Sequence, residues 1–108
     1  MYKICVYIPA THLQIVKDAL FAAGVGRVGN YDSCCWQVLG EGQFRALEGS
    51  DPFIGSGESG QQGKVETVSE YKMELVCEDH LIKQAIAAMK QAHPYETPAY
   101  DVWKLEIF

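Results

Sequence analysis

The sequence predicts an α+β fold of the ferredoxin-like βαββαβ type: one four-stranded antiparallel sheet with two helices on one face. Three observations predict it. Two-residue alternation marks 2–9, 65–77 and 100–107 as strands, and apolar residues at helical spacing mark 11–23 and 80–92 as helices. The two halves also repeat the order strand, helix, strand, and the letters echo, with His12-Leu13 opening one helix and His80-Leu81 the other.

Strand one, Tyr2 to Pro9, sends Ile4, Val6 and Ile8 to one face and Lys3, Cys5 and Tyr7 to the other. The first helix starts at Thr11, a suitable N-cap, with Gln14 three residues on to complete a capping box. Leu13, Val16, Leu20 and Ala23 form its apolar stripe, and Gly24 follows where a left-handed C-terminal residue is wanted. The second strand runs over about 33–39. The third, 65–77, places Tyr71, Met73, Leu75 and Cys77 opposite Glu70, Lys72 and Glu74. Asp79 is positioned to cap the second helix, whose stripe is Leu81, Ala85, Ala88, Met89 and Ala92. The last strand, 100–107, opposes Trp103, Leu105 and Ile107 to Val102, Lys104 and Glu106.

Both helices covering one face leave the other open. That face carries Cys5 and Tyr7, and burying an apolar or aromatic side chain is worth roughly 1.5–3 kcal/mol, so subunits are expected to associate through it. The irregular stretch is 40–64, with seven of the ten glycines. It replaces a short hairpin turn, and a loop of that length in a small domain is functional or loosely held. Phe44 and Phe53 are expected to pack locally or on a neighbour, and 56–62 to be loose.

Length and composition fit one domain, 1–108, with a real core: 108 residues, 48% hydrophobic and 21% charged. The net charge of −5 argues against a nucleic-acid or anionic-membrane surface, both of which need clustered Lys and Arg. No apolar run is long enough for a transmembrane helix, and the N-terminus begins a strand without a basic leader, so a cytoplasmic location is expected. The four cysteines show neither CxxC nor ribbon spacing, which predicts reduced thiols.

Two motifs are discounted. Gly24-Val25-Gly26-Arg27-Val28-Gly29 spells a dinucleotide fingerprint, but a helix precedes it and a strand follows, the reverse of what that site needs. The stretch 57–64 lacks the spacing and the hydroxyl of a phosphate loop. No nucleophile–base–acid order and no pair of catalytic carboxylates stands out, so no catalytic residue is assigned.

The stretch that carries chemistry is His93-Pro94-Tyr95-Glu96-Thr97-Pro98-Ala99-Tyr100-Asp101. Its prolines fix φ, remove N–H groups and stop the helix, holding polar tips on a stiff connector. The candidate ligand-binding residues are Tyr31, Cys34, His93, Tyr95, Glu96 and Tyr100. The candidate metal ligands are His93, Glu96 and Cys34, for a divalent ion. The alternative is structural: His93 closes the helix and Glu96 accepts loop N–H groups, while Cys34 or Cys35 acts as a small buried hydrophobe.

Four ordered segments carry a resemblance over nearly the whole chain: Gly26 to Cys34, Gly40 to Phe44, Gly49 to Gly55 and His93 to Asp101. Together they resemble the domain inserted into long bacterial members of the NIF-three-like family, the YqfO type related to "GTP cyclohydrolase I type 2". The His93-Pro94-Tyr95-Glu96-x-Pro98 string is also similar to a CutA pattern. The resemblance implies a PII/CutA-like, non-enzymatic domain. It implies homotrimers formed through the sheets and a small ligand or metal ion at subunit edges. The family's dinuclear metal site belongs to flanking domains, so a metal-dependent hydrolase is the third reading. The second is a protein-interaction module acting through 40–64.

Overall fold

The computed structural model describes residues 1–51, 53 and 63–108. Strands β1 (Tyr2–Pro9), β2 (Trp36–Arg45), β3 (Val65–Cys77) and β4 (Tyr100–Lys104) form one sheet in the order β2-β3-β1-β4, every pair antiparallel. Helices α1 (Leu13–Ala22) and α2 (Ile82–Ala92) lie side by side on one face. This is the α+β arrangement the sequence predicts.

Alternation and register make the two faces. Ile4, Val6 and Ile8 stand opposite Leu75, Met73 and Tyr71, facing the helices. With Val16, Leu20, Ala85 and Met89 they build the core, where Ile4, Val6, Ile8, Leu20, Met73 and Met89 are fully buried. Burial of each such side chain stabilises by roughly 1.5–3 kcal/mol. The opposite face carries Lys3, Cys5 and Tyr7 against Val76, Glu74 and Lys72. Both Trp36, opposite Glu74, and Trp103, opposite Lys3, belong to this open face, at its two edges.

Four expectations on element limits need correction. Strand two is longer and later than 33–39, and 40–45 is strand rather than loop. The thirteen residues of β3 carry more ladder groups than a short β2 could satisfy, and Gly40 to Arg45 continue the register to Arg45↔Val65. Gly42 fits there because a Cβ would lie 2.8 Å from Glu70 Cδ. Ser33, at φ 57°, breaks the chain direction before Trp36, so Cys34 and Cys35 precede the ladder. Strand four ends at Lys104, because its ladder with β1 runs out at Tyr2↔Lys104, followed by one bond from Leu105 N–H to Met1 C=O at 3.0 Å.

Neither helix starts as expected. A 3-10 turn, Ala10–His12, precedes α1, and the Thr11 hydroxyl bonds His12 Nδ1 at 2.9 Å instead of capping. Gln14 donates to Asp18 Oδ1 at 2.7 Å. A second turn, Asp79–Leu81, precedes α2, and the Asp79 carboxylate pairs with the Met1 amine and Lys104 Nζ, which holds its pKa below the usual carboxylate range. By contrast, Gly24 takes the expected left-handed φ of 89°. The expected looseness of 56–62 lies outside the described residues. No helix among the described residues is long and apolar enough to cross a membrane.

Candidate functional site

The connector after α2 is fixed by His93. Pro94 biases His93 to an extended backbone (ψ 135°), so α2 closes with the bond from His93 N–H to Met89 C=O at 2.9 Å. Its ring is then carried under the end of the sheet, where the residue is 5% exposed. The β1–β4 ladder stops at Val6↔Tyr100. Beyond it Tyr7 N–H still reaches Ala99 C=O at 3.1 Å, but Tyr7 C=O accepts from His93 Nε2 at 2.7 Å. On the other side of the ring, Tyr95 N–H donates to Nδ1 at 3.1 Å. Both nitrogens are therefore used, and the pattern sets the neutral Nε2–H tautomer. Burial pushes the His93 pKa below its ordinary value, partly opposed by the Tyr7 carbonyl and the Glu70 charge.

Tyr95 stacks beside His93 with ring centres 4.8 Å apart and meets Phe53 at 6.2 Å, while Phe53 sits edge-on to His12 at 5.2 Å. The Tyr95 hydroxyl is buried without a hydrogen-bond partner among the described residues. Burial first, and then the neighbouring Glu70 carboxylate, push its phenol well above the ordinary tyrosine range. Glu96 accepts the Asp51 N–H at 3.0 Å, tying the segment after β2 to the connector. Between them lies a cleft of about 270 Å³ walled by Phe44, Phe53, Val68, Glu70, Tyr95 and Glu96, among others. It opens at the rim of the bare sheet face, on which Phe44, Val68 and Glu70 stand.

The structure thus brings His93, Tyr95 and Glu96 together and leaves the other candidates elsewhere. Tyr100 pairs with Val6 on the helix side, with Lys90 Nζ 5.3 Å from its ring centre. Tyr31 and Cys34 lie at the opposite end of the sheet. Cys34 N–H bonds Gly26 C=O, and Gly26 N–H bonds Val76 C=O, each at 2.9 Å; Val76 pairs with Lys3, four residues (about 13 Å) along β1 from Tyr7. Tyr31, 75% exposed, borders a separate open hollow with Arg27 and Asp32. The expected metal set of His93, Glu96 and Cys34 therefore does not converge, and no group of three His, Cys, Asp or Glu suited to a metal occurs among the described residues. All four cysteines are free; burial raises the thiol pKa of Cys5 and Cys77.

Sequence reasoning passed over Glu70 and Gln43. Glu70 was visible as an open-face position on β3, but nothing in the sequence showed that Gly42 would let its carboxylate fold across β2. Phe44 and Phe53 pack locally, as expected, and line the cleft.

No family model matches the chain. It is 42% identical over 105 residues to the "GTP cyclohydrolase 1 type 2 homolog" of Halalkalibacterium halodurans, which covers 97% of this chain and 27% of that protein. It is 42% identical over 103 residues to the protein of that name in Mycobacterium tuberculosis, covering 95% and 26%. The chain spans about a quarter of the length of these curated relatives. Among solved structures, a Bacillus cereus protein related to NIF3 superposes with a TM-score of 0.81 at 37% identity, over 98% of this chain and 26% of that one. The periplasmic divalent cation tolerance protein CutA of Archaeoglobus fulgidus superposes with a TM-score of 0.69 at 15% identity, over 100% and 87%, which shows the fold alone.

Proposed function

Since the chain is a homologue of a segment of the NIF3-family proteins named GTP cyclohydrolase 1 type 2 homolog, and has the CutA/PII-like fold, we propose that it is a cytoplasmic, non-enzymatic assembly domain that binds a small ligand at its subunit edges. Copies associate through the open sheet face as a trimer, and the ligand enters the cleft beside His93, Tyr95 and Glu96.

One observation carries this reading: the placement of the two tryptophans. Trp36 and Trp103 are 57% and 47% exposed, on the same face but on opposite edge strands, three strand spacings (about 14 Å) apart. Val38, 45% exposed, extends the apolar strip along β2. Large exposed apolar surface marks an interaction site, and two different edges that meet head to tail generate a closed ring. The activity in the relatives' name is not carried onto this chain, because the chain matches only a quarter of their length.

Sedimentation velocity of the chain and of its Trp103→Glu variant tests the assembly. Wild type is expected as a trimer and the variant as a monomer with unchanged far-UV circular dichroism. Equal, monomeric sedimentation of both would remove the reading.

A second reading, a protein-interaction module acting through the segment between β2 and β3, is favoured by Leu47, which is 64% exposed just past the hairpin arm. Replacing 47–62 by a short turn separates the two. Lost partner capture with retained assembly favours the module; retained capture removes it.

A further inference from the structure

The cleft at the rim of the open face has a sharply one-sided chemistry. Two carboxylates, Glu70 and Glu96, line it, and none of the nine Lys and Arg side chains does. Aromatic rings form the walls: Phe44, Phe53 and Tyr95. The nearby imidazole of His93 has both nitrogens engaged in protein bonds. The buried Tyr95 hydroxyl has no hydrogen-bond partner among the described residues.

The geometry points to a specific ligand class: a small organic cation, an ammonium group on an apolar or aromatic body. This rests on the reading of the cleft as a ligand site and goes beyond it by naming the chemistry. Each part of such a ligand meets a matching part of the cleft. The ammonium faces Glu70 and Glu96, a charge-assisted contact stronger than a neutral one. Phe53 and Tyr95 line the cleft, and an aromatic ring attracts a cation held over its face within about 6 Å. Val68, Ala46 and Ala99 receive the apolar body.

Two rival classes fit less well. A phosphate or carboxylate ligand would find two negative charges and no cation to offset them. A divalent metal ion wants six or more oxygens, or three or four nitrogen and sulfur ligands, and the described residues supply no cluster of three. An ammonium ion needs only the two carboxylates and an aromatic wall.

Amide chemical shifts of the full chain, titrated with benzylammonium, benzyl alcohol, benzoate and zinc chloride, test this. Benzylammonium is expected to shift the amides of Phe44, Glu70, Tyr95 and Thr97 to saturation. Benzyl alcohol is expected to bind at least tenfold more weakly, and benzoate and zinc to leave these amides unmoved. Glu70→Gln is expected to weaken benzylammonium about tenfold while leaving sedimentation and circular dichroism unchanged. Glu96→Gln, which still accepts the Asp51 N–H, provides a second variant should the first disturb the fold. Equal affinity for the amine and the alcohol, or preference for benzoate or zinc, overturns the assignment. Silence from every probe with assembly intact also overturns it, while leaving the assembly reading standing; loss of assembly in the wild type would instead remove that reading.

Discussion

Replacing His93 is the sharpest perturbation of this architecture, because one side chain satisfies two backbone groups from distant segments. In His93→Ala, Tyr7 C=O loses its 2.7 Å donor and Tyr95 N–H its 3.1 Å acceptor. Each orphaned, part-buried group costs about 1–3 kcal/mol, and the lost contact of a ring that is 5% exposed adds roughly 1 kcal/mol. The expected loss is therefore about 3–7 kcal/mol. For a domain of this size that lowers the melting temperature by about 12–28 °C. Urea unfolding followed by far-UV circular dichroism, at fixed protein concentration because association adds apparent stability, measures it. His93→Asn keeps an acceptor near the Nδ1 position and His93→Gln keeps a donor near Nε2, so each is expected to fall between wild type and His93→Ala. A loss below about 1 kcal/mol for the alanine variant, or amide variants no better than alanine, would refute the two-sided role of the ring.

Other outcomes follow from the same structure. Stability is expected to fall as pH drops below about 6.5: the unfolded chain takes up a proton there, while native His93, its pKa depressed by burial, takes one up only lower, and His93→Gln should flatten that part of the profile. Gly26→Ala is expected to cost about 3 kcal/mol or more by urea unfolding, because φ is +83° and a Cβ would sit 2.6 Å from Cys34 C=O. Gly49→Ala, at φ +88° but in open space, should cost only about 1–2 kcal/mol. Met89→Ala, fully buried between helix and sheet, should cost about 2–5 kcal/mol in the same assay. Asp79→Asn should move stability little and in a salt-dependent way, since its two pairs are exposed.

The layered fold was legible because alternation and helical spacing report burial directly: Ile4, Val6, Ile8, Val16, Leu20, Met73 and Met89 all lie where their periodicity put them. The extent of β2 was not legible. Gly40 and Gly42 read as loop residues, yet the ladder bonds offered by the long β3 outweigh glycine's weak strand preference. The helix starts failed for another reason: Thr11 and Asp79 are good capping residues, but the adjacent His12 ring takes the Thr11 hydroxyl, and the distant Met1 amine and Lys104 take the Asp79 carboxylate. Of the site, the stiff connector was visible through its prolines, and His93, Tyr95 and Glu96 do converge with it. Cys34 and Tyr31 were attached to it by the motif's company alone; no sequence periodicity reports that a turn held to Val76 lies at the far end of β1. Glu70 enters the cleft only through a cross-strand register that a single strand does not reveal.

The most direct test is whether the bare sheet face is covered in solution. The chain has two tryptophans, and both stand on that face, so acrylamide quenching and the emission maximum report its exposure without any label. At micromolar concentrations the emission should be blue-shifted and weakly quenched, turning red-shifted and strongly quenched as dilution separates the copies. Tryptophans that are fully quenchable at every concentration, in a protein that is otherwise folded, would contradict the account.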